Sequence, residues 1–167
     1  MSARILLRPP GATDAREFVA AAAASKALHR SWVAPPSTPD QFRTWRKRMS
    51  RPTHCALLVC RRDIGEIAGV FNISNMVMGQ FRSAFLGYYA FAGHEAQGLM
   101  AEGLKAVLRH AFGPLGLHRM EANIQPDNAA SIALVQSCGF LLEGYSPRYL
   151  KIAGRWRDHE RWAIVAD

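Results

Sequence analysis

Three short stretches carry residue types whose spacing suits chemistry. The first is HEAQGLMAEGL, His94 to Leu104, polar in its first half and helical in its second. A loop that runs into a helix N-terminus presents main-chain N–H groups without acceptors, and the aligned peptide dipoles add partial positive charge there. Gly98 permits close backbone approach, so the consecutive amides of Gln97, Gly98, Leu99, Met100 and Ala101 can wrap a phosphate or pyrophosphate without a lysine. The same residues also read as a plain helix start, with Gly98 serving a tight turn. The second stretch, MEANIQ, sets Glu121 and Asn123 on one face of a strand. Glu121 can take a proton, directly or through a water, or can be an ordinary strand-pairing charge; Asn123 cannot act as a carboxylate base. In the third, PDNAASIALVQSCGF, Asn128 stands at a helix start as an N-cap, and Ser131 lies in the first turn. A serine there either donates a proton to a ligand or bonds the local backbone.

These groups need a scaffold, and the hydrophobic pattern supplies one. RILLRP (Arg4 to Pro9) reads as a strand, and an alanine-rich helix runs from an N-cap at Thr13 to about Ser25. APPSTP breaks the chain, and Thr38 or Asp40 opens a second helix through QFRTWRKRM. Three strands follow, HCALLVCRR, GEIAGVFNIS and SAFLGYYAF, with turns at RDIGE and NMVMGQFR. Met100, Leu104, Val107, Leu108 and Ala111 recur at helical spacing and predict a helix from Gly98 to Phe112. After it come a strand in HRMEANIQ, a helix in NAASIALVQSC stopped by Gly139, and a final pair of strands in FLLEGYSPRYLKIAG and RWRDHERWAIVA. The order β-α-α-β-β-β-α-β-α-β-β describes an α/β chain with a mixed (α+β) sheet. The meander is expected to be antiparallel, and the later βαβ unit parallel with a right-handed crossover.

Composition narrows the function classes. The 167 residues, 49% hydrophobic, suit one domain spanning 1–167. No window approaches the roughly 18 apolar residues of a membrane span, so no membrane contact and a cytoplasmic location are expected. Cys55, Cys60 and Cys138 sit in apolar contexts without paired metal spacing, so they are read as buried thiols, and no metal is expected. Neither GxxxxGK[ST] nor GxGxxG occurs, which argues against a nucleotide hydrolase or dehydrogenase. Net charge is +8, and FRTWRKRMSR holds Arg43, Arg46, Lys47, Arg48 and Arg51 without an acid. That patch is either a solvated helix face or a contact for an anionic partner such as RNA, with Phe42 and Trp45 available for stacking.

Taken in register, LGYYAF, QGLMAEGL, NAASIALVQSCGF and LEGYSPRYLKIAGRWRDH resemble the GNAT acetyltransferase superfamily, in particular its ribosomal-protein N-terminal acetyltransferase branch. The resemblance runs from about Ile5 to the C-terminus and implies a GNAT-like acyl-CoA N-acyltransferase fold. It implies that the strand before the loop parts from its neighbour, that the pantetheine arm of acetyl-CoA lies in the gap, and that the loop cradles the pyrophosphate. The cofactor residues it implies are Tyr89, Ala90 and Phe91, whose main-chain N–H groups polarise the thioester, then Gln97, Gly98, Leu99, Met100 and Ala101, with Asn128 as a polar contact. Where the family's loop begins with Arg or Gln and closes on Gly or Ala, this chain has Glu95 and Met100. The tyrosine that many members use as proton donor falls on Val135, so Ser131 takes that role. The position that often carries a glutamate base falls on Asn123, with Glu121 the nearest substitute.

The implied reaction moves an acetyl group from acetyl-CoA directly to a primary amine, with the α-amine of a ribosomal-protein N-terminus as the expected acceptor and ribosome association as a possible partner. A small amine or antibiotic as acceptor, and a CoA-binding or RNA-associated module without turnover, stay open on these residues, as do monomer and homodimer. Tyr88, Tyr89, Tyr145 and Tyr149 can shape the acceptor pocket or shuttle protons, or serve as plain core and rim aromatics. In RWRDHERW, Asp158 and His159 are strand neighbours and point to opposite faces, so they form no acid–base dyad.

Overall fold

Strands build a sheet on which every candidate group depends, the segments CALLVCR and IAGVF apolar on both faces and RMEANI alternating. Its strands are β1 (Ile5–Arg8), β2 (Cys55–Arg61), β3 (Ile67–Val77), β4 (Ser83–Ala90), β5 (Arg119–Ile124), β6 (Leu141–Ile152) and β7 (Arg155–Val165) in the computed structural model, which describes residues 3–167. The helices are α1 (Ala15–Ala24), α2 (Lys26–His29), α3 (Pro39–Met49), α4 (Leu99–Phe112) and α5 (Ala129–Ser137). The strands form one mixed sheet in the order β1-β2-β3-β4-β5-β7-β6. The meander β2-β3-β4 is antiparallel, and β4-α4-β5 is parallel, as expected. β6 also runs parallel to β5, but β7 lies between them and pairs antiparallel with both.

Three local differences have identifiable causes. The first helix starts later than Thr13, which lies inside a 3-10 turn; Asp14 outcompetes it by accepting the Gly11 N–H at 2.7 Å and both Arg8 guanidinium nitrogens at 2.7 and 2.8 Å. The helical segment also breaks at Ser25, where the hydroxyl donates to Ala21 O at 2.6 Å and accepts from Ala92 N–H, leaving α2 as an extra short turn. Finally, β3 extends past Ser74 to Val77 because Asn75, at φ 52°, absorbs a bulge that lets the ladder resume at Val77–Ser83. Thr38 caps α3, its hydroxyl accepting from Gln41 N–H at 3.2 Å.

Each sheet face has its own core. On one, Leu104, Val107, Leu108 and Ala111 of α4 and Val135 of α5 pack on Val59, Phe71, Ile73, Leu86, Met120 and Ala122. On the other, Phe18 of α1 and Phe42, Trp45 and Met49 of α3 pack on Leu58, Val70, Tyr89 and Phe91, with the Phe18 ring 5.0 Å from those of Phe42 and Trp45. Phe42 and Trp45 are therefore core residues, 2% and 4% exposed, and offer no surface for base stacking. The α3 cations Arg43, Lys47 and Arg48 are exposed. Among the described residues no helix is long and apolar enough to cross a membrane.

Candidate active site

The loop before α4 is a row of unpaired amides held open by its neighbours. Gly93, Ala96 and Gly98 adopt left-handed backbone at φ 90°, 58° and 74°, and such turns point successive N–H groups into one concavity. Gln97 Nε2 donates to Gly93 O at 2.8 Å, and Arg4 on the β1 side donates through Nη1 to Gln97 O at 3.0 Å while pairing with Glu102 at 3.0 Å. The first amide of α4 with an intrahelical acceptor is that of Glu102, on Gly98 O at 3.1 Å. Those of Gln97, Gly98, Leu99, Met100 and Ala101 have no protein acceptor among the described residues. Glu95 is exposed, and the N–H groups of its own residue, Gly93 and His94 hold its carboxyl below the ordinary range.

Beside this loop the sheet opens. β4 and β5 pair over three rungs, Ser83–Arg119, Ala84–Met120 and Phe85–Glu121, and then separate. Beyond that point β4 stays on β3 as far as Gly69–Ala90, and β5 stays on β7 as far as Ile124–Glu160. Arg82 O accepts from His118 and Arg119, and the Phe91 N–H donates to Ala68 O at 2.8 Å, so even-numbered β4 residues turn their main-chain groups toward β5 and odd-numbered ones toward β3. Of Tyr89, Ala90 and Phe91, Ala90 is thus the residue whose N–H faces the gap. Its carbonyl accepts from His29 Nε2 at 2.7 Å.

Tyr88 and Ser131 meet on the α4–α5 side. Their hydroxyl oxygens are 2.6 Å apart, and the phenol is 3.1 Å from Ser131 O. Asn128 Oδ1 accepts the Ser131 N–H at 3.3 Å, the expected N-cap. Burial pushes the Tyr88 phenol far above its usual range, so it keeps its proton. Val135 is fully buried and supplies packing alone.

Glu121 and Asn123 project to the opposite face, as the alternation requires, since Met120, Ala122 and Ile124 belong to the α4–α5 core. Glu121 stands on the last paired rung with its carboxylate 3.1 Å from Arg119, which also binds Glu143 at 2.6 Å. That ion network engages the residue expected as the base. Asn123 lies beyond the split, its Oδ1 buried without a partner. Asp158 accepts from the Tyr145 hydroxyl at 2.5 Å and from Arg148 N–H at 2.7 Å, while His159 is buried against Arg157 O, so the two form no dyad. A cavity of about 360 Å³ past the end of β5 is lined by Gln125, Asp127, Tyr145, Trp156 and Asp158 among others. Cys60 is buried, and Cys55 and Cys138 are half-buried; burial raises the thiols of Cys55 and Cys60.

Residues 4–141 match the family model described as acetyltransferase (GNAT) domain. The chain belongs to the GNAT acetyltransferase family. It is 43% identical over 103 residues, 62% of this chain and 53% of the relative, to the [ribosomal protein uS5]-alanine N-acetyltransferase of Escherichia coli (strain K12). The chain therefore spans about half the length of the curated relatives it matches. Mycobacterium smegmatis RimJ, solved in complex with CoA-disulfide, superposes with a TM-score of 0.89 at 28% identity, covering 97% of this chain and 82% of that one. Vibrio cholerae spermidine N-acetyltransferase, solved with CoA and spermine, shares the fold at a TM-score of 0.83 and 20% identity, covering 98% and 96%. The expected kinship with the ribosomal-protein branch is borne out by the first two.

Sequence reasoning placed the amide loop, the Asn128 cap and Ser131, and counted Tyr88 among four tyrosines able to shuttle protons, but missed two contributors. Arg4, from the chain's first strand region, is far away in sequence and carries no local signal. His29 gives none either. Among the tyrosines the structure selects Tyr88: alternation sets it with Leu86 on the α4–α5 face and Tyr89 on the other.

Proposed function

We propose that this GNAT chain, as one domain over 1–167, transfers the acetyl group of acetyl-CoA directly to the α-amine of a protein N-terminus. The observation that carries the reading is the parting of β4 and β5 after three rungs, directly before a loop with five unpaired amides. An extended pantetheine arm suits the gap as an added strand, and the amides of Gln97 to Ala101 suit its pyrophosphate. The Ala90 N–H, which faces the gap, polarises the thioester carbonyl as negative charge develops on it. Ser131, oriented by the Tyr88 phenol and the Asn128 cap, donates a proton to the departing thiolate, the role the family gives to a tyrosine at the position of Val135.

No strong base is needed for this acceptor. An α-amine titrates near 8 against about 10.4 for lysine, so a useful fraction is neutral at physiological pH. That agrees with Asn123 in place of a carboxylate and with Glu121 engaged by Arg119. The 43% identity to an alanine N-acetyltransferase of ribosomal protein uS5 favours a ribosomal-protein terminus, and the exposed cations of α3 suit an approach to RNA-rich particles. The test compares a Ser- or Ala-initiated peptide with the same peptide blocked at its terminus but carrying free lysines. Transfer restricted to the free terminus is expected; equal rates on both, or activity confined to a small amine, refute the acceptor.

A further inference from the structure

On the face of the sheet opposite Ser131, two of the unsatisfied polar atoms stand on neighbouring strands. Asn123 and Arg161 are register partners across β5 and β7, and Asn123 Oδ1 and Arg161 Nε are both buried without a protein partner. An unpaired buried acceptor costs free energy, and so does an unpaired buried donor. Here one of each occurs on adjacent strands, just past the rung where β4 leaves β5. A third residue shapes the place. Gly144 of β6 is the register partner of Arg161 on its other side, and a Cβ at that position would overlap the guanidinium. The arginine therefore lies across bare backbone. Glu143 feels its charge, but bonds Arg119 instead.

Resting on the proposed α-amine acceptor, we infer that Asn123, Arg161 and Gly144 form the seat of the acceptor's first residue. Asn123 Oδ1 accepts an N–H of the amine, and Arg161 Nε donates to the carbonyl oxygen of the same residue. A peptide N-terminus presents that pair of groups, a donor and an acceptor two carbons apart. A polyamine presents donors and positive charge alone, which leaves Arg161 unpaired and adds like-charge repulsion. The seat thus selects for the class of acceptor, amines that carry a neighbouring carbonyl. Its position on the face away from Ser131 lets the amine approach the thioester from one side of the sheet while the thiolate is protonated from the other.

The test measures kcat/KM for wild type, Arg161→Leu and Gly144→Ala on two acceptors: an Ala-initiated peptide, and its analogue with CH2–O in place of the first amide. Taking each variant relative to wild type cancels the different amine pKa values. Loss of a charge-assisted hydrogen bond predicts that Arg161→Leu lowers the peptide value at least tenfold more than the ether value. Gly144→Ala, which keeps every charge but displaces the guanidinium, moves the ratio in the same direction and serves if the leucine variant does not fold. Calorimetric CoA binding reports folding. Asn123→Ala lowers both acceptors alike, since both carry the amine. Equal losses on the two acceptors in Arg161→Leu, or an unmoved ratio in Gly144→Ala, overturn the seat while leaving the transferase reading intact. A wild type that acetylates the ether analogue as well as the peptide overturns the seat also, and a wild type inactive on the peptide overturns the reading beneath it.

Discussion

Ser131→Ala isolates the protonation step. General acids contribute about 10²–10⁴ in rate, and here a water can partly replace the hydroxyl, so the lower half of that range applies. A fall in kcat of about 10²–10³ corresponds to about 2.7–4 kcal/mol of barrier. CoA affinity should stay within about twofold, because the contact that orders this turn is from the Ser131 main-chain N–H to Asn128 Oδ1, which alanine retains. Tyr88→Phe keeps the ring packed 5.7 Å from Phe71 but removes the hydroxyl 2.6 Å from Ser131. If the phenol acts by orienting the serine, the double variant is no slower than Ser131→Ala, as coupled residues are not additive. Because burial keeps Tyr88 protonated well beyond its ordinary range, this donor gives no loss of rate between pH 7 and about 10, and kcat/KM rises with the neutral fraction of the acceptor. Thiol release at saturating acetyl-CoA measures the rate. A kcat for Ser131→Ala within about threefold of wild type, or losses that multiply in the double variant, refutes the reasoning.

Gly98→Glu should abolish measurable CoA binding by calorimetry, since φ 74° strains any side chain and the new carboxylate repels the pyrophosphate; unchanged affinity refutes the amide cradle. Glu95→Gln should tighten CoA by up to about fivefold, the Coulomb limit for removing one like charge at about 4 Å in water; a weakened affinity refutes a repulsive role for Glu95. Asp14→Asn should lower stability at pH 7 by about 1–3 kcal/mol in urea unfolding, because Arg8 and the Gly11 N–H lose their carboxylate. The Arg8 bond depresses the Asp14 carboxyl, so this stabilisation is present above about pH 4 and lost as pH falls through the lower folded value; a wild-type advantage that does not shrink as pH is lowered below about 4 refutes the assignment. Cys138→Ser should keep kcat within about twofold, with no acetyl-cysteine trapped by mass spectrometry, as direct transfer requires.

The sequence by itself determined the elements and the faces they present. Leu104, Val107 and Ala111 at helical spacing, and Met120, Ala122 and Ile124 at alternate positions, are local patterns, because periodicity follows from the dihedral angles of one segment. The loop with Gly98 and the Asn128 cap were legible for the same reason, since each satisfies or leaves open groups within a few residues of itself. Boundaries failed where a contact from outside the segment prevailed: Asp14 over Thr13 through Arg8, and the break at Ser25 through Ala92. Only the tertiary structure decided the site's pairings. It joined the Tyr88 phenol to Ser131 from 43 positions away, engaged Glu121 with Arg119, and left Asn123 facing Arg161. The parting of β4 and β5 is likewise a property of two half-sheets. Which main-chain groups stay unpaired is set by strand neighbours, and neighbours in a sheet are chosen by the whole fold rather than by any one strand's own residues.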